Sequence, residues 1–297
     1  MSDAEVEVEV DNNKMSFGKS AGNGDVGDAW GLGSSSNRIV QAMAPTAKND
    51  FYYKMTHKRR GRAIIFNHEH FNQPNLSIRN GTNVDAENLR ETFEGLGFDV
   101  TVHKDPLLSD IEYVINKAAK ENHSEADCIA VIVLSHGEDK ILYARDAEYK
   151  PEMLWNAFTA DKCPTLAGKP KLFFIQACQG DRLDRGVAMS TEYDGQKSGI
   201  VYKIPVYADF LISFSTVPGY YSWRNVNKGS WFMQALCEIL RRSGTSLDLL
   251  TLMTLVSQKV AVGFESSSSD PTMHGNKQIP STTTMLTRML IFTQKHI

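Results

Sequence analysis

Two short motifs in this chain bring together the residue types needed for nucleophilic catalysis. Ser135-His136-Gly137 closes the apolar run Cys128–Leu134, and Gln176-Ala177-Cys178-Gln179-Gly180 closes the run Lys171–Ile175. A thiol of ordinary acidity, with a pKa of about 8.5, is only a few per cent thiolate at neutral pH, so a nucleophilic cysteine needs an adjacent base or cation. Neither motif suffices alone. A lone histidine at the end of a run is more often a hydrogen-bonded structural residue, and a lone buried cysteine more often an inert hydrophobe. If the two runs are neighbouring parallel strands, their tips come within side-chain reach, and His136 stands beside Cys178 although the two are 42 positions apart. Gly137 leaves a backbone N–H unobstructed, and with the N–H of Cys178 it can form an oxyanion hole for a tetrahedral intermediate.

The flanking sequence supplies those strands. A strand is expected at Arg62–Phe66, then a helix from about Asn83 to Leu96 with Leu89, Phe93 and Leu96 on one face, ending at Gly97, a residue suited to a left-handed cap. Further strands follow at Phe98–His103, Cys128–Leu134, Lys171–Ile175 and Asp209–Ser215, and a last one around Met285–Phe292. Helices are expected at Leu108–Lys120, Pro151–Phe158 and Ser230–Arg242, with one more beginning after Thr245, where Asp248 three positions on suits a capping arrangement. Alternating strands and helices predict an α/β fold with a mainly parallel central sheet covered by helices on both faces. Both motifs then fall at carboxyl ends of central strands, where open α/β sheets place their ligands.

Composition narrows the function classes. The 297 residues are 41% hydrophobic, enough for a sizeable core. The net charge of −3 comes without any Lys/Arg-rich run, which leaves no footprint for nucleic acid or an anionic membrane. No apolar run approaches the roughly 20 residues that cross a bilayer, and the acidic start is unlike a secretory signal, so a cytoplasmic protein is expected. The four cysteines lack CxxC pairing, which argues against a disulfide framework or a thiolate zinc site. Residues 1–28 hold seven acidic and two lysine side chains, net −5, with few large apolar groups, and read as an acidic disordered arm. Residues 181–204 are polar and read as an exposed linker inside the domain, and Ser266–Ser269 as a mobile surface loop. His68-Glu69-His70 has the alternation of a metal-binding pair, but no third or fourth ligand is apparent, so neither metal nor cofactor is implied.

The pentad Gln176–Gly180, with a histidine upstream, resembles the caspase signature. The resemblance runs from about Arg62 to the C-terminus. It includes Asn83-Val84-Asp85-Ala86-Glu87-Asn88-Leu89, Gly168-Lys169-Pro170-Lys171-Leu172-Phe173 and Tyr220-Tyr221-Ser222-Trp223-Arg224-Asn225. The chain looks like a short-prodomain effector caspase, of the kind found in moths and butterflies. That resemblance implies a caspase-like fold with a six-stranded sheet and a cysteine endopeptidase that cuts proteins after aspartate. It also implies a role in apoptosis, and a homodimer of large/small subunit pairs. The implied partners are an upstream initiator caspase, inhibitor-of-apoptosis proteins and viral caspase inhibitors. Cys178 is then the nucleophile, and His136 protonates the leaving amine and activates water. Arg79, Gln176 and Arg224 would line the pocket for the substrate aspartate, where planar guanidinium forks suit a buried carboxylate. Tyr221, Ser222, Trp223 and Trp231 resemble the walls for the preceding residues, and Asn225 a contributor to the fourth subsite. Serines after Phe264-Glu265 and a methionine at Met273 depart from the aromatic pattern of vertebrate effectors, leaving the outer subsites undetermined.

A zymogen of this kind is cut between its parts. Thr191-Glu192-Tyr193-Asp194 before Gly195 and Asp25-Val26-Gly27-Asp28 before Ala29 suit the enzyme's own specificity and lie in polar segments open to proteases. Asp184 and Asp50 are weaker rivals. The expected pieces are a prodomain, 1–28, a large subunit, 29–194, and a small subunit, 195–297. A metacaspase-like enzyme would cut after Arg or Lys and need carboxylates where this chain has Arg79 and Arg224. A silent caspase-like regulator would have lost the nucleophile or the pocket, and this chain keeps both.

Overall fold

A computed structural model describes residues 42–185 and 205–295. In chain order its main elements are β1 (Arg62–Asn67), α1 (Thr82–Gly95), β2 (Asp99–Lys104), α2 (Leu108–Lys120), β3 (Ile129–Leu134), β4 (Lys171–Gln176), β5 (Phe210–Phe214), α3 (Trp231–Ser243), α4 (Leu249–Gly263) and β6 (Ser281–Thr284). They form a six-stranded sheet in the order β6-β5-β4-β3-β1-β2, parallel except for β6, which pairs antiparallel with β5. The two processing aspartates, Asp28 and Asp194, lie outside the described residues.

Strand β3 shows why the sheet is a two-sided core. All six of its residues are buried. Ala130, Ile132 and Leu134 pack on one face with α1, α3 and α4, while Ile129, Val131 and Val133 pack on the other with α2. The side-chain period of two therefore feeds two apolar layers from one strand. Helix α1 stops where expected: Gly97 takes a left-handed φ of 86°. The N–H groups of Gly97 and Phe98 then close on the carbonyls of Glu94 and Phe93 at 2.8 and 3.0 Å, the paired bonds of a Schellman stop.

Several expectations are corrected. Residues 151–158 form two short 3₁₀ turns, Pro151–Leu154 and Asn156–Phe158, because Trp155, with φ at −113°, breaks the run between them. The last strand is the polar stretch Ser281–Thr284, not Met285–Phe292. Leu290 and Phe292 are buried there, and that apolar signal reflects packing on the core while the Met289 backbone pairs with residues 51 and 53. The cap of α4 is Asp248, whose side chain accepts from the N–H groups of Leu250 and Thr251, and Thr245 plays no part in it. The serine cluster is a surface loop, as expected, with its first member tied down: Ser266 is buried, and its hydroxyl donates to the Met273 carbonyl at 2.7 Å. His68 and His70 do not converge on a metal, since His68 is buried and His70 is exposed beside Asp105. No metal-binding group of three or more such side chains occurs among the described residues. Among them, no helix is long and apolar enough to cross a membrane.

Candidate active site

Strands β3 and β4 are parallel neighbours in a register that sets Leu134 beside Gln176. The segments that follow leave the sheet together, and the Ser135 N–H donates to the Gln176 carbonyl at 3.0 Å. His136 and Cys178 consequently line one cleft of about 250 Å³, shared with Arg79, Gln176, Tyr221, Ser222, Trp223 and Arg224. Eight of the predicted site residues thus share one cleft, with Gly137 alongside them.

The imidazole is oriented by a group that acts through its backbone. Its Nε2 lies 2.8 Å from the Ser77 carbonyl oxygen. A carbonyl only accepts, so the proton sits on Nε2 and Nδ1 is left as the basic nitrogen. Phe71 packs on the ring at a centroid distance of 4.9 Å. Burial pushes the His136 pKa down to about 4, and the Arg79 and Arg224 charges push the same way against the Ser77 bond. The Cys178 sulfur sits 3.4 Å from the Ser222 N–H. Burial raises its pKa despite that contact and the two guanidiniums. At neutral pH the proton therefore rests on sulfur and the imidazole is neutral, which is not a preformed ion pair.

Gly137 fits the close quarters. A Cβ there would stand 2.7 Å from the Cys178 carbonyl oxygen and 2.9 Å from the Ala177 Cβ. The Tyr143 N–H to His136 carbonyl bond flanks the Gly137–Leu142 pair. That makes it a pair without mutual hydrogen bonds, so the Gly137 N–H is not used by the ladder.

The other wall is cationic. Arg79 is 1% exposed. Its Nη1 donates to the His68 carbonyl at 2.9 Å and the Thr82 hydroxyl at 2.8 Å, while its buried Nε has no partner. Burial, reinforced by Arg224, lowers its pKa to about 9, which leaves it charged at neutral pH. Arg224 donates from Nε to the Asn80 carbonyl at 2.8 Å, and burial lowers its pKa too. Gln176 donates from Nε2 to the Ser222 hydroxyl at 2.7 Å, and its Oε1 is buried without a partner. Two cations and unsatisfied polar atoms facing one small space are costly unless an anion arrives.

Aromatic rings extend from this point. Tyr221 meets Trp223 at 5.6 Å, Trp223 stacks on Trp231 at 5.7 Å, and Trp231 stacks on Phe264 at 5.4 Å. Trp231 supports this shelf from the start of α3 and does not line the cleft itself. Neither does Asn225, whose Oδ1 accepts from the N–H groups of Asn227 and Lys228 and closes the turn of a small hairpin. Ser77 and Phe71 carry no signal in the sequence: Ser77 acts through its carbonyl, which any residue has, and Phe71 carries no chemistry of its own.

Residues 60–291 match the family model described as the caspase domain. The chain belongs to the caspase family. Caspase-1 of Spodoptera frugiperda is 59% identical over 92% of this chain and 92% of its own length. Caspase drICE of Drosophila melanogaster is 56% identical over 92% of this chain and 82% of its own length. The crystal structure of the Spodoptera Caspase-1 superposes with a TM-score of 0.81 at 57% identity, covering 86% of this chain and 100% of that one. This caspase is a cysteine peptidase directed to aspartate.

Proposed function

We propose that this chain is an effector caspase, made as a zymogen, in which Cys178 is the nucleophile and His136 the acid/base. The observation that carries the reading is the paired cationic wall of Arg79 and Arg224 in the same cleft as a thiol and an imidazole with its Nδ1 free. The substrate aspartate enters the cleft, and its carboxylate meets the unpartnered N–H of Arg79, the Arg224 fork and Gln176. Turned over, the Gln176 amide accepts from the Ser222 hydroxyl and offers its NH₂ group to the substrate. Nδ1 of His136 takes the thiol proton as sulfur attacks the carbonyl carbon, and the N–H groups of Gly137 and Cys178 receive the oxyanion. The imidazole then protonates the leaving amine, and the thioester is hydrolysed by water that His136 activates.

Tyr221, Trp223 and Ser222 border the residues preceding the aspartate, with Trp231 behind them. Cleavage after Asp194 and Asp28 yields the large and small subunits and frees the acidic leader. The rivals are tied into turns or bridges: Asp50 bonds back to Ala47, and the Asp184 carbonyl accepts the Lys277 N–H. The mature enzyme acts in the cytoplasm as a homodimer of subunit pairs, downstream of an initiator caspase and subject to inhibitor-of-apoptosis proteins and viral inhibitors. Hydrolysis of fluorogenic peptides that differ only in Asp, Asn, Glu or Arg at the cut position tests this. Turnover of Asp alone, abolished in Cys178→Ala, is expected. Equal turnover of Arg and Asp peptides would overturn it.

A further inference from the structure

Next to the hairpin that carries Arg224, on the helix that follows Arg79, lies a carboxylate that the reaction above does not use. Asp85, on α1, is 1% exposed. Its Oδ1 accepts the Ser230 N–H at 2.8 Å and its Oδ2 accepts the Ser230 hydroxyl at 2.6 Å. Ser230 pairs with Arg224 across the small hairpin, so Asp85 fastens the strand that carries one cleft cation to the helix that follows the other. The approach is close enough to require glycine next door: at Gly229, with φ at 89°, a Cβ would lie 2.2 Å from Asp85 Oδ1.

A clamp of this shape needs no charge, since an amide could also bond to Ser230. Burying a full carboxylate is costly unless it offsets other charge. The charged or titratable groups facing Asp85 are Arg79 from the preceding loop, Arg224 from the hairpin and Cys237 from α3. Its charge draws both guanidinium pKa values upward, while burial raises its own to about 6.

We propose that Asp85 is a positioning residue of the aspartate cleft: a buried carboxylate that fastens the Arg224 hairpin through Ser230 and offsets the charge of Arg79 and Arg224, so that the incoming carboxylate competes with it. The proposal rests on the reading of that cleft as the aspartate pocket. It separates the two roles by sign. Removing the charge but keeping the shape, in Asp85→Asn, leaves the empty cleft doubly cationic, so an aspartate binds more tightly, by roughly three- to tenfold at protein-like screening. Loosening the clamp but keeping the charge, in Ser230→Ala, frees the Arg224 hairpin and weakens binding.

The test is calorimetric titration of a blocked peptide containing one aspartate, acetyl-Thr-Gln-Tyr-Asp-Gly-amide, into Cys178→Ala protein, with the Asn peptide as control. Tighter binding on adding Asp85→Asn and weaker binding on adding Ser230→Ala are expected. A second reading needs no variant at Asp85. The substrate carboxylate raises the Asp85 pKa further, so binding takes up a proton and tightens from pH 7 to pH 5. His136, near 4, and Arg79, near 9, do not titrate in that window. Should Asp85→Asn fail to fold, this pH dependence decides. Equal weakening by both substitutions, or binding independent of pH in Cys178→Ala, would overturn the proposal. Failure of the Asp peptide to outbind the Asn peptide in Cys178→Ala would instead overturn the pocket reading beneath it.

Discussion

Arg79→Lys keeps a positive charge in the cleft wall while removing the planar fork. In the wild type, Nη1 is committed to the His68 carbonyl and the Thr82 hydroxyl, and the buried Nε is unspent. A lysine ammonium is a single point with donors that satisfy the same two anchors, so it either stays there and leaves the substrate unserved or moves to the substrate and strands both anchors. Weakening one partner of a buried, hydrogen-bonded charge pair costs about 2–5 kcal/mol. At about 1.4 kcal/mol per factor of ten, kcat/KM on an Asp peptide falls roughly 30-fold to a few thousand-fold. The retained charge places the expectation in the lower half of that range. The matched Asn peptide never formed the charged bonds, so its turnover changes by less than about threefold and the Asp/Asn ratio collapses with the Asp value. The assay is kcat/KM on both peptides, normalised to thiols titrated at Cys178, with melting temperature confirming the fold. An unchanged Asp/Asn ratio in folded Arg79→Lys would refute the assignment of this guanidinium to the substrate.

Other consequences follow from the same geometry. Gly137→Ala drives a methyl into the Cys178 carbonyl and the Ala177 side chain. It should lower kcat by about 10²–10³, the usual loss of an oxyanion donor, with little change in KM in steady-state assays. Because the resting thiol is protonated, alkylation of Cys178 by iodoacetamide should keep rising above pH 8. A plateau reached by pH 6 would show a preformed ion pair instead. Acid should destabilise the fold: His68 and His136 are both held near 4, against about 6.5 unfolded, so the native state binds fewer protons. Stability is full above pH 6.5 and is lost as pH falls towards 4, partly offset by Asp85, which gains its proton near 6 when folded. Melting temperature should therefore drop between pH 6.5 and 4.5, and a flat profile would contradict the burial of these rings. Asp194→Ala should abolish the large/small split seen on gels, and Asp28→Ala only the release of the leader.

The sheet was readable because its strands are apolar on both faces. A run such as Ile129–Leu134, buried throughout, has no solvent side to confuse the pattern. Edges are different: β6 is Ser-Thr-Thr-Thr, half-exposed and paired on one side, so its β-branched chemistry was outweighed by the more apolar stretch after it. The same contrast governs the site. His136, Gly137 and Cys178 announce themselves because the proposed reaction needs those side chains, or the lack of one, at strand ends. Ser77 does not, since its carbonyl alone fixes the imidazole, and Phe71 acts as a flat apolar surface that several residues could supply. Asp85 was hidden for a further reason. An acidic residue in the first turn of a helix ordinarily serves the exposed N–H groups there, and only the folded hairpin reveals that this one turns inward to Ser230. Residues proposed to bond substrate are thus legible from type and spacing. Those proposed to hold them in place act through long-range contacts, with 145 positions separating Asp85 from Ser230, and become visible only when the chain closes on itself.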